Sequence, residues 1–343
     1  MGKVAFLTGG GDCPGLNAVI AGAVRSLADE RVETIGLVDG WKGALEGLTM
    51  EVTPASTANI IAEGGTILGS SRTNPYKEAD GVAKIKDSFS RLDIDALVAI
   101  GGDDTLGVAT RLFDEEKMHV VGVPKTIDND LSSTDFTFGF DTAVNIAMDA
   151  VDKIRTTARS HHRVLVIETM GRHAGWIAAY AGIGGNADVT LVPELKVDVE
   201  AVCRTLKQNR EKGQNFNIVV VSEGAIFQEG GYVTQDADLD EFGHVRLGGV
   251  ADALSKMIEK QTGYETRSVV LGHLQRGGSP TAFDRMLGIR LGVHAAKMVT
   301  AGEWGKMAAM RGSRIVSVPL SEATGELKVL NDEFKELVRL FSS

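Results

Sequence analysis

The chain has 343 residues, enough for a large core and most naturally for two domains of ordinary size. Its formal net charge of −10, with no basic stripe to offset it, excludes a general nucleic-acid surface but leaves room for a small anionic substrate held by local arginines. Cys13 and Cys203 are the two cysteines, and no apolar run approaches about 18 residues, so neither a disulfide framework nor a membrane span is indicated.

The first residues, "MGKVAFLTGG", begin at once with a strand and lack a signal-peptide pattern, and Phe6 stands where myristoylation needs Ser or Thr. A cytoplasmic protein is expected. Residues 3–10 read as a buried strand ending in glycine, and 17–28, "NAVIAGAVRSLA", have helical periodicity. Strands follow at 34–40, 95–104 and 119–126, each ending in a polar turn, with 106–116 as a crossover helix. Further strands are expected at 163–171, 189–194, 217–225 and 268–274, separated by helices. Continuous apolar strands alternating with helices predict an α/β fold with mainly parallel sheets covered on both faces; two such sheets facing a central cleft would explain why the motifs divide between the chain halves. Residues 227–249 form a polar, glycine-punctuated excursion that reads as a surface hairpin or loop.

Polar residues cluster just after the strands, where open α/β sheets bind ligands. "TGGGDCPGLN" (8–17) lies between a strand and a helix, so its backbone amides and the helix start suit a phosphate, or else form only a tight turn. It is not a P-loop, since no Gly-Lys-Ser/Thr follows, and Pro14 breaks the dinucleotide fingerprint. "GGDDT" (101–105) sets two like charges side by side, which calls for a cation between them and an anion nearby. In "PKTIDND" (124–130), Asp128 and Asp130 alternate along an extended turn beside Lys125 and Thr126. A carboxylate that accepts a hydroxyl proton during phosphoryl transfer has this setting; a helix-capping Asp is the alternative.

Arg72 in "SSRTNP" (70–75) reads, alone, as a solvated surface group. "ETMGRHAGW" (168–176), "SEGA" (222–225) and "GHLQRGG" (272–278) each put polar groups at a strand end. His273 with Arg276 suits a phosphate clamp and Glu223 suits sugar hydroxyls, although such a stretch taken by itself is more often structural than functional. Asp236, Asp238 and Asp240 mimic a calcium loop, but Glu241 and Leu247 replace its required Gly and Glu.

Taken in this order, the motifs resemble those of the phosphofructokinase family over nearly the whole chain, from "TGGGDCPGLNA" to "GHLQRGGSPTAFDR" (272–285). The match is nearest to its pyrophosphate-dependent members of the actinobacterial mixed-substrate subgroup. The resemblance implies two Rossmann-like, three-layer α/β/α lobes. Residues 1–139 plus 275–325 would bind the phosphoryl donor and Mg²⁺; 140–274 plus 326–343 would bind fructose 6-phosphate. It implies Asp128 as the general base for the sugar 1-hydroxyl, Asp103 as the Mg²⁺ ligand, and Gly11 as a backbone contact to the donor. Arg72 would bridge the phosphates, with Thr126 as hydroxyl donor and Asp130 as orienting carboxylate. Met170, Gly171, Arg172, Glu223, His273 and Arg276 match the sugar-phosphate pocket. Arg163 and Arg267 match arginines that reach into the neighbouring subunit's pocket, so a homo-oligomer is implied.

The family divides by phosphoryl donor. ATP-dependent bacterial members have Gly at the positions matching Asp104 and Lys125, whereas pyrophosphate-dependent members have Asp and Lys there. A carboxylate at 104 opposes the α-phosphate of a nucleotide, and the Lys125 charge suits a compact, highly charged donor. A structural Asp104–Lys125 ion pair is the alternative. The resemblance therefore implies Mg²⁺-dependent, reversible transfer from pyrophosphate to the 1-hydroxyl of fructose 6-phosphate. ATP as donor and a non-catalytic sugar-phosphate sensor are the rivals, and a sensor needs no general base. Ala21 and Pro54 stand where allosteric members carry basic effector residues, although Arg25 and Arg155 remain, so a weak response to phosphorylated effectors is expected.

Overall fold

The computed structural model describes residues 2–228, 231–232, 234–239, 245–247, 249–323 and 325–342. Its strands begin with β1 (Lys3–Thr8), β2 (Thr34–Leu37), β3 (Thr49–Glu51), β4 (Ile94–Gly101) and β5 (Val120–Pro124). They continue with β6 (Val164–Thr169), β7 (Val189–Leu191), β8 (Asn217–Ser222), β9 (Ile226–Phe227) and β10 (Gly231–Tyr232). The last are β11 (Thr234–Leu239), β12 (Val245–Leu247), β13 (Thr266–Val270), β14 (Lys306–Arg311) and β15 (Arg314–Pro319).

The chain divides into two compact units. The first comprises Met1–Ile127, Leu131–Thr142 and Arg276–Leu327. Its sheet runs β15-β14-β5-β4-β1-β2-β3, parallel throughout except for the antiparallel edges β2–β3 and β14–β15. Strands β1 and β4 are buried almost end to end because helices cover both faces, which is why they read as unbroken apolar runs. β1 continues to β2 on one side while β4 joins it on the other, so the chain reverses direction across the sheet at β1/β4. Here Thr8 pairs with Ile100, and Gly101 pairs with Pro124 of β5, setting three strand ends level.

On one face, helix Leu16–Asp29 packs against helix Ala282–Ala301. Glycines let the backbones meet: a Cβ at Gly22 would come 2.6 Å from Ile289 O, and one at Gly292 would come 2.1 Å from Val19 O. These close approaches leave no room for a side chain at either position. Thr281 caps the second helix by accepting from Asp284 N.

The second unit comprises Asp128–Asp130, Ala143–Gln275 and Lys328–Ser343. Its sheet, β13-β6-β8-β7, is wholly parallel. Val164, Val166, Val219 and Val221 pack with Leu206, Leu254 and Ile258 of the covering helices. In the excursion over 227–249, β9 pairs with β10 and β11 with β12, both antiparallel. Asp240 and Glu241, which bear on the calcium-loop reading, lie outside the described residues.

Several strands are shorter than expected, as at Thr34–Leu37 and Val189–Leu191, and two elements beside the candidate residues change in kind. The strand expected over 95–104 stops at Gly101, and the helix begins at Asp103 rather than at residue 106. The strand expected over 268–274 occupies Thr266–Val270, and a 3₁₀ turn, Gly272–Arg276, follows. Among the described residues no helix is long and apolar enough to cross a membrane.

Candidate active site

In the first unit the candidate residues gather at the carboxyl ends of β1, β4 and β5. The loop after β1 is held at Gly10, whose N–H donates to Ser71 O at 3.1 Å and whose carbonyl accepts from Ser70 Oγ. That tie fixes the backbone beside Arg72, whose side chain is exposed. Asp103 and Asp104 form the first turn of helix Asp103–Glu116, following Gly102 at the N-cap. Two adjacent acids repel, but the free N–H groups and dipole of a helix start compensate negative charge there. Asp103 is exposed, Asp104 half-buried.

Lys125 leaves the end of β5 and is 4% exposed, with Nζ donating to Gly11 O. Burial lowers its pKa most; Arg276 also lowers it, while Cys13, Asp103 and Asp12 act in the opposite sense. Arg276 donates through Nη1 to Asp12 O at 3.2 Å. A Cβ at Gly11 would stand 2.7 Å from that Nη1, so only glycine leaves the guanidinium its place. The sequence groups Arg276 with His273; the structure places Arg276 in the first unit, beside the glycine loop and Lys125. Two cations thus flank a loop of backbone amides, a setting for a polyanion.

Cys13, beneath the same loop, is wholly buried and its thiol is pushed up to about 12 by desolvation, which makes it inert. Thr126 follows Lys125, and its carbonyl accepts from Thr137 Oγ1 at 2.7 Å. Among the described residues no group of three or more His, Cys, Asp or Glu side chains could hold a metal by itself. Asp103 offers one exposed carboxylate. That donor set fits Mg²⁺, which commonly binds through one or two carboxylates and takes its remaining ligands from water and substrate phosphates.

In the second unit the candidates collect at the carboxyl ends of β6, β8 and β13, together with the Asp128–Asp130 turn. Met170 and Gly171 follow β6; Gly171, at φ 131°, has its carbonyl held by Ser222 Oγ at 2.5 Å. Glu223 follows β8, its N–H donating to Thr169 O at 2.9 Å. Its carboxyl is pushed up to about 7, first by burial, then by the Asp128 charge. The Gly171 N–H and Arg172 oppose that rise, and Glu168 adds to it. Asp128, Gly171, Arg172 and Glu223 therefore form one electrostatic cluster.

His273 is exposed on the turn after β13. Gln275, given no role by the sequence, is fully buried, accepting from Met170 N at 3.3 Å and donating to Gly272 O at 3.1 Å. It joins the 170–172 stretch to the His273 turn. Its position inside "GHLQRGG" is the only sequence signal for that task.

Arg163 and Arg267 lie elsewhere. Both pair with Glu265 Oε1, at 2.6 and 2.8 Å, and Arg163 holds that carboxyl below its usual range. Arg163 precedes β6, whereas Met170 follows it, so seven residues of extended chain, roughly 23 Å, separate them. The two arginines lie at the amino ends of β6 and β13, opposite the carboxyl ends where the other second-unit candidates collect.

Comparison with known proteins follows the same lines. The family model described as phosphofructokinase matches residues 3–299. A relative from Streptomyces coelicolor, named pyrophosphate–fructose 6-phosphate 1-phosphotransferase, is 55% identical over 99% of both chains. One from Corynebacterium efficiens, named ATP-dependent 6-phosphofructokinase, is 44% identical over 95% of this chain and 94% of its own. Among solved structures, Pichia pastoris phosphofructokinase in the T-state superposes with a TM-score of 0.86 at 28% identity, over 99% of this chain and 39% of that one.

Proposed function

The chain belongs to the phosphofructokinase family, and on that premise we propose that it transfers a phosphoryl group reversibly from pyrophosphate to the 1-hydroxyl of fructose 6-phosphate. The observation that carries the reading is the first-unit cluster: buried Lys125 and half-buried Arg276 around the glycine loop, with Asp103 and Asp104 at the adjoining helix start. Two fixed cations suit a compact polyanion. A second acid at that start disfavours the further phosphate of a nucleotide. The name carried by the Streptomyces coelicolor relative agrees.

In this reading Gly11 presents backbone to the donor, and Lys125, Arg72 and Arg276 neutralise phosphate charge. Asp103 would hold Mg²⁺, which would supply further charge neutralisation at the phosphates. Asp128 takes the proton from the sugar 1-hydroxyl, which is a poor nucleophile while protonated. Thr126 donates a hydroxyl hydrogen bond and Asp130 orients the turn. Met170, Gly171, Arg172, Glu223 and His273 hold fructose 6-phosphate by its hydroxyls and phosphate.

Arg163 and Arg267, at the amino ends of β6 and β13, serve the pocket of a neighbouring copy, so a homo-oligomer is required. A fully active species with the mass of one chain would contradict this. The response to phosphorylated effectors is weak: Arg155 donates to the carbonyls of Gly185 and Asn186, and Ala21 is buried.

Reversal tests the reading. Fructose 1,6-bisphosphate and inorganic phosphate, incubated with the enzyme and Mg²⁺, are expected to yield pyrophosphate, visible by phosphorus NMR. No pyrophosphate from an otherwise active enzyme would overturn the donor assignment.

A further inference from the structure

Three segments far apart in sequence meet in the second unit: the Asp128–Asp130 turn, the loop over 170–176, and residues 328–330. Asn129, between the two aspartates, is 3% exposed and has φ 53°, in the left-handed region that non-glycine residues rarely adopt. Asn tolerates that conformation better than most residues, but the turn still gains from being gripped from outside. Lys328 does so twice. Its Nζ donates to Asn129 Oδ1 at 2.9 Å, and its backbone N–H donates to Asp130 O at 2.8 Å.

The same short segment is tied to the sugar-phosphate loop. Trp176 Nε1 donates to Lys328 O at 2.9 Å. Glu194 Oε1 accepts from Leu330 N at 2.9 Å and from Gly175 N at 3.0 Å. Trp176 also packs edge-on against Phe334, 5.1 Å between ring centroids, on the helix Asp332–Leu340 that follows. Leu330 is fully buried, so the segment is anchored by packing as well as by hydrogen bonds.

We propose that residues 328–330 act as a strap that fixes the Asp128–Asp130 turn relative to the 170–176 loop, with Lys328 as a positioning residue for phosphoryl transfer. The inference rests on the reading of Asp128 as the base and adds to it a residue that touches no reacting atom. Each loop hydrogen-bonds to a common third segment, which removes independent motion between proton acceptor and sugar. Transfer is sensitive to misplacements of about 1 Å, for which losses near 10²-fold are typical. The lysine also brings a cation to a turn that carries two carboxylates, reducing their mutual repulsion.

The test compares full-length Lys328→Met, Lys328→Arg, Asn129→Gly and the Lys328→Met/Asn129→Gly double variant with fructose 6-phosphate, pyrophosphate and Mg²⁺. Lys328→Met is expected to lower kcat about 10- to 100-fold, with KM for fructose 6-phosphate changed less than about threefold. Lys328→Arg, which keeps a charged donor, is expected to recover much of kcat. Asn129→Gly keeps the left-handed backbone and removes the side-chain acceptor. Because both changes break one contact, the double variant is expected to be no slower than the slower single variant. Full kcat in Lys328→Met, or losses that multiply in the double variant, would overturn the proposal. If Lys328→Met does not fold, full kcat in Asn129→Gly does the same. Asp128→Asn measured alongside separates the two readings. A large loss there with Lys328→Met unimpaired removes only the strap, whereas full activity in Asp128→Asn removes the base and the strap's purpose with it.

Discussion

Replacing Asp128 by Asn is expected to lower kcat by about 10²–10⁴-fold, the usual contribution of a positioned general base, while fructose 6-phosphate binding is largely kept. Asn preserves the volume and much of the hydrogen bonding of the turn, so the loss isolates proton acceptance. Unchanged turnover would remove Asp128 from its role. The neighbouring Glu223 adds a pH dependence. Its carboxyl, pushed up to about 7, is protonated below that pH and charged above it. As pH rises through about 7, a second negative charge develops beside Asp128 and in the path of an anionic sugar phosphate. The ratio kcat/KM for fructose 6-phosphate, which reports the free enzyme, is therefore expected to decline on the alkaline side. Glu223→Gln should abolish that limb. The sign for folding agrees: the folded-state pKa lies above the ordinary value of 4.5, so stability present below about 4.5 is lost as pH rises through about 7.

Asp104→Gly is expected to raise kcat/KM for ATP by up to about 10³-fold and to lower it for pyrophosphate. At about 4 Å and an effective dielectric near 20, two like charges cost roughly 4 kcal/mol, close to three decades in affinity. Asp104 sits in the first turn of a helix, where N–H groups and dipole would otherwise attract a phosphate. Two acids there occupy that attraction. Lys125→Gly is the less clean companion, because it also removes the donor to Gly11 O and leaves a hole at a 4%-exposed site. It is expected to impair both donors. If Asp104→Gly moves kcat/KM for neither donor, the argument from charge and space is wrong.

Much of the α/β alternation is legible because β1, β4, β6 and β8 are buried on both faces and leave apolar runs bounded by glycine. The glycine loop stands out for the same reason. The helical placement of Asp103 and Asp104 is not legible, since a polar first turn carries no amphipathic period and apolar spacing starts only at Leu106. The antiparallel pair β14–β15 also escapes the reading: "KMAAMRGSRIVSVP" is half polar and bears no strand-end motif. Arg276 shares a motif with His273, yet the division between units falls between Gln275 and Arg276, a boundary that no composition shift marks. Lys328 is the hardest case. It lies 199 residues from the asparagine it holds, on a lysine with no motif around it.

A relative named for pyrophosphate is 55% identical and one named for ATP 44%, and the donor itself is open to direct measurement. The most direct measurement is kcat/KM of the purified wild-type protein for pyrophosphate and for ATP, at saturating fructose 6-phosphate with Mg²⁺, coupled to detection of fructose 1,6-bisphosphate. Turnover with pyrophosphate that exceeds turnover with ATP by about two decades or more is the expected result. Turnover with ATP and none with pyrophosphate would contradict it.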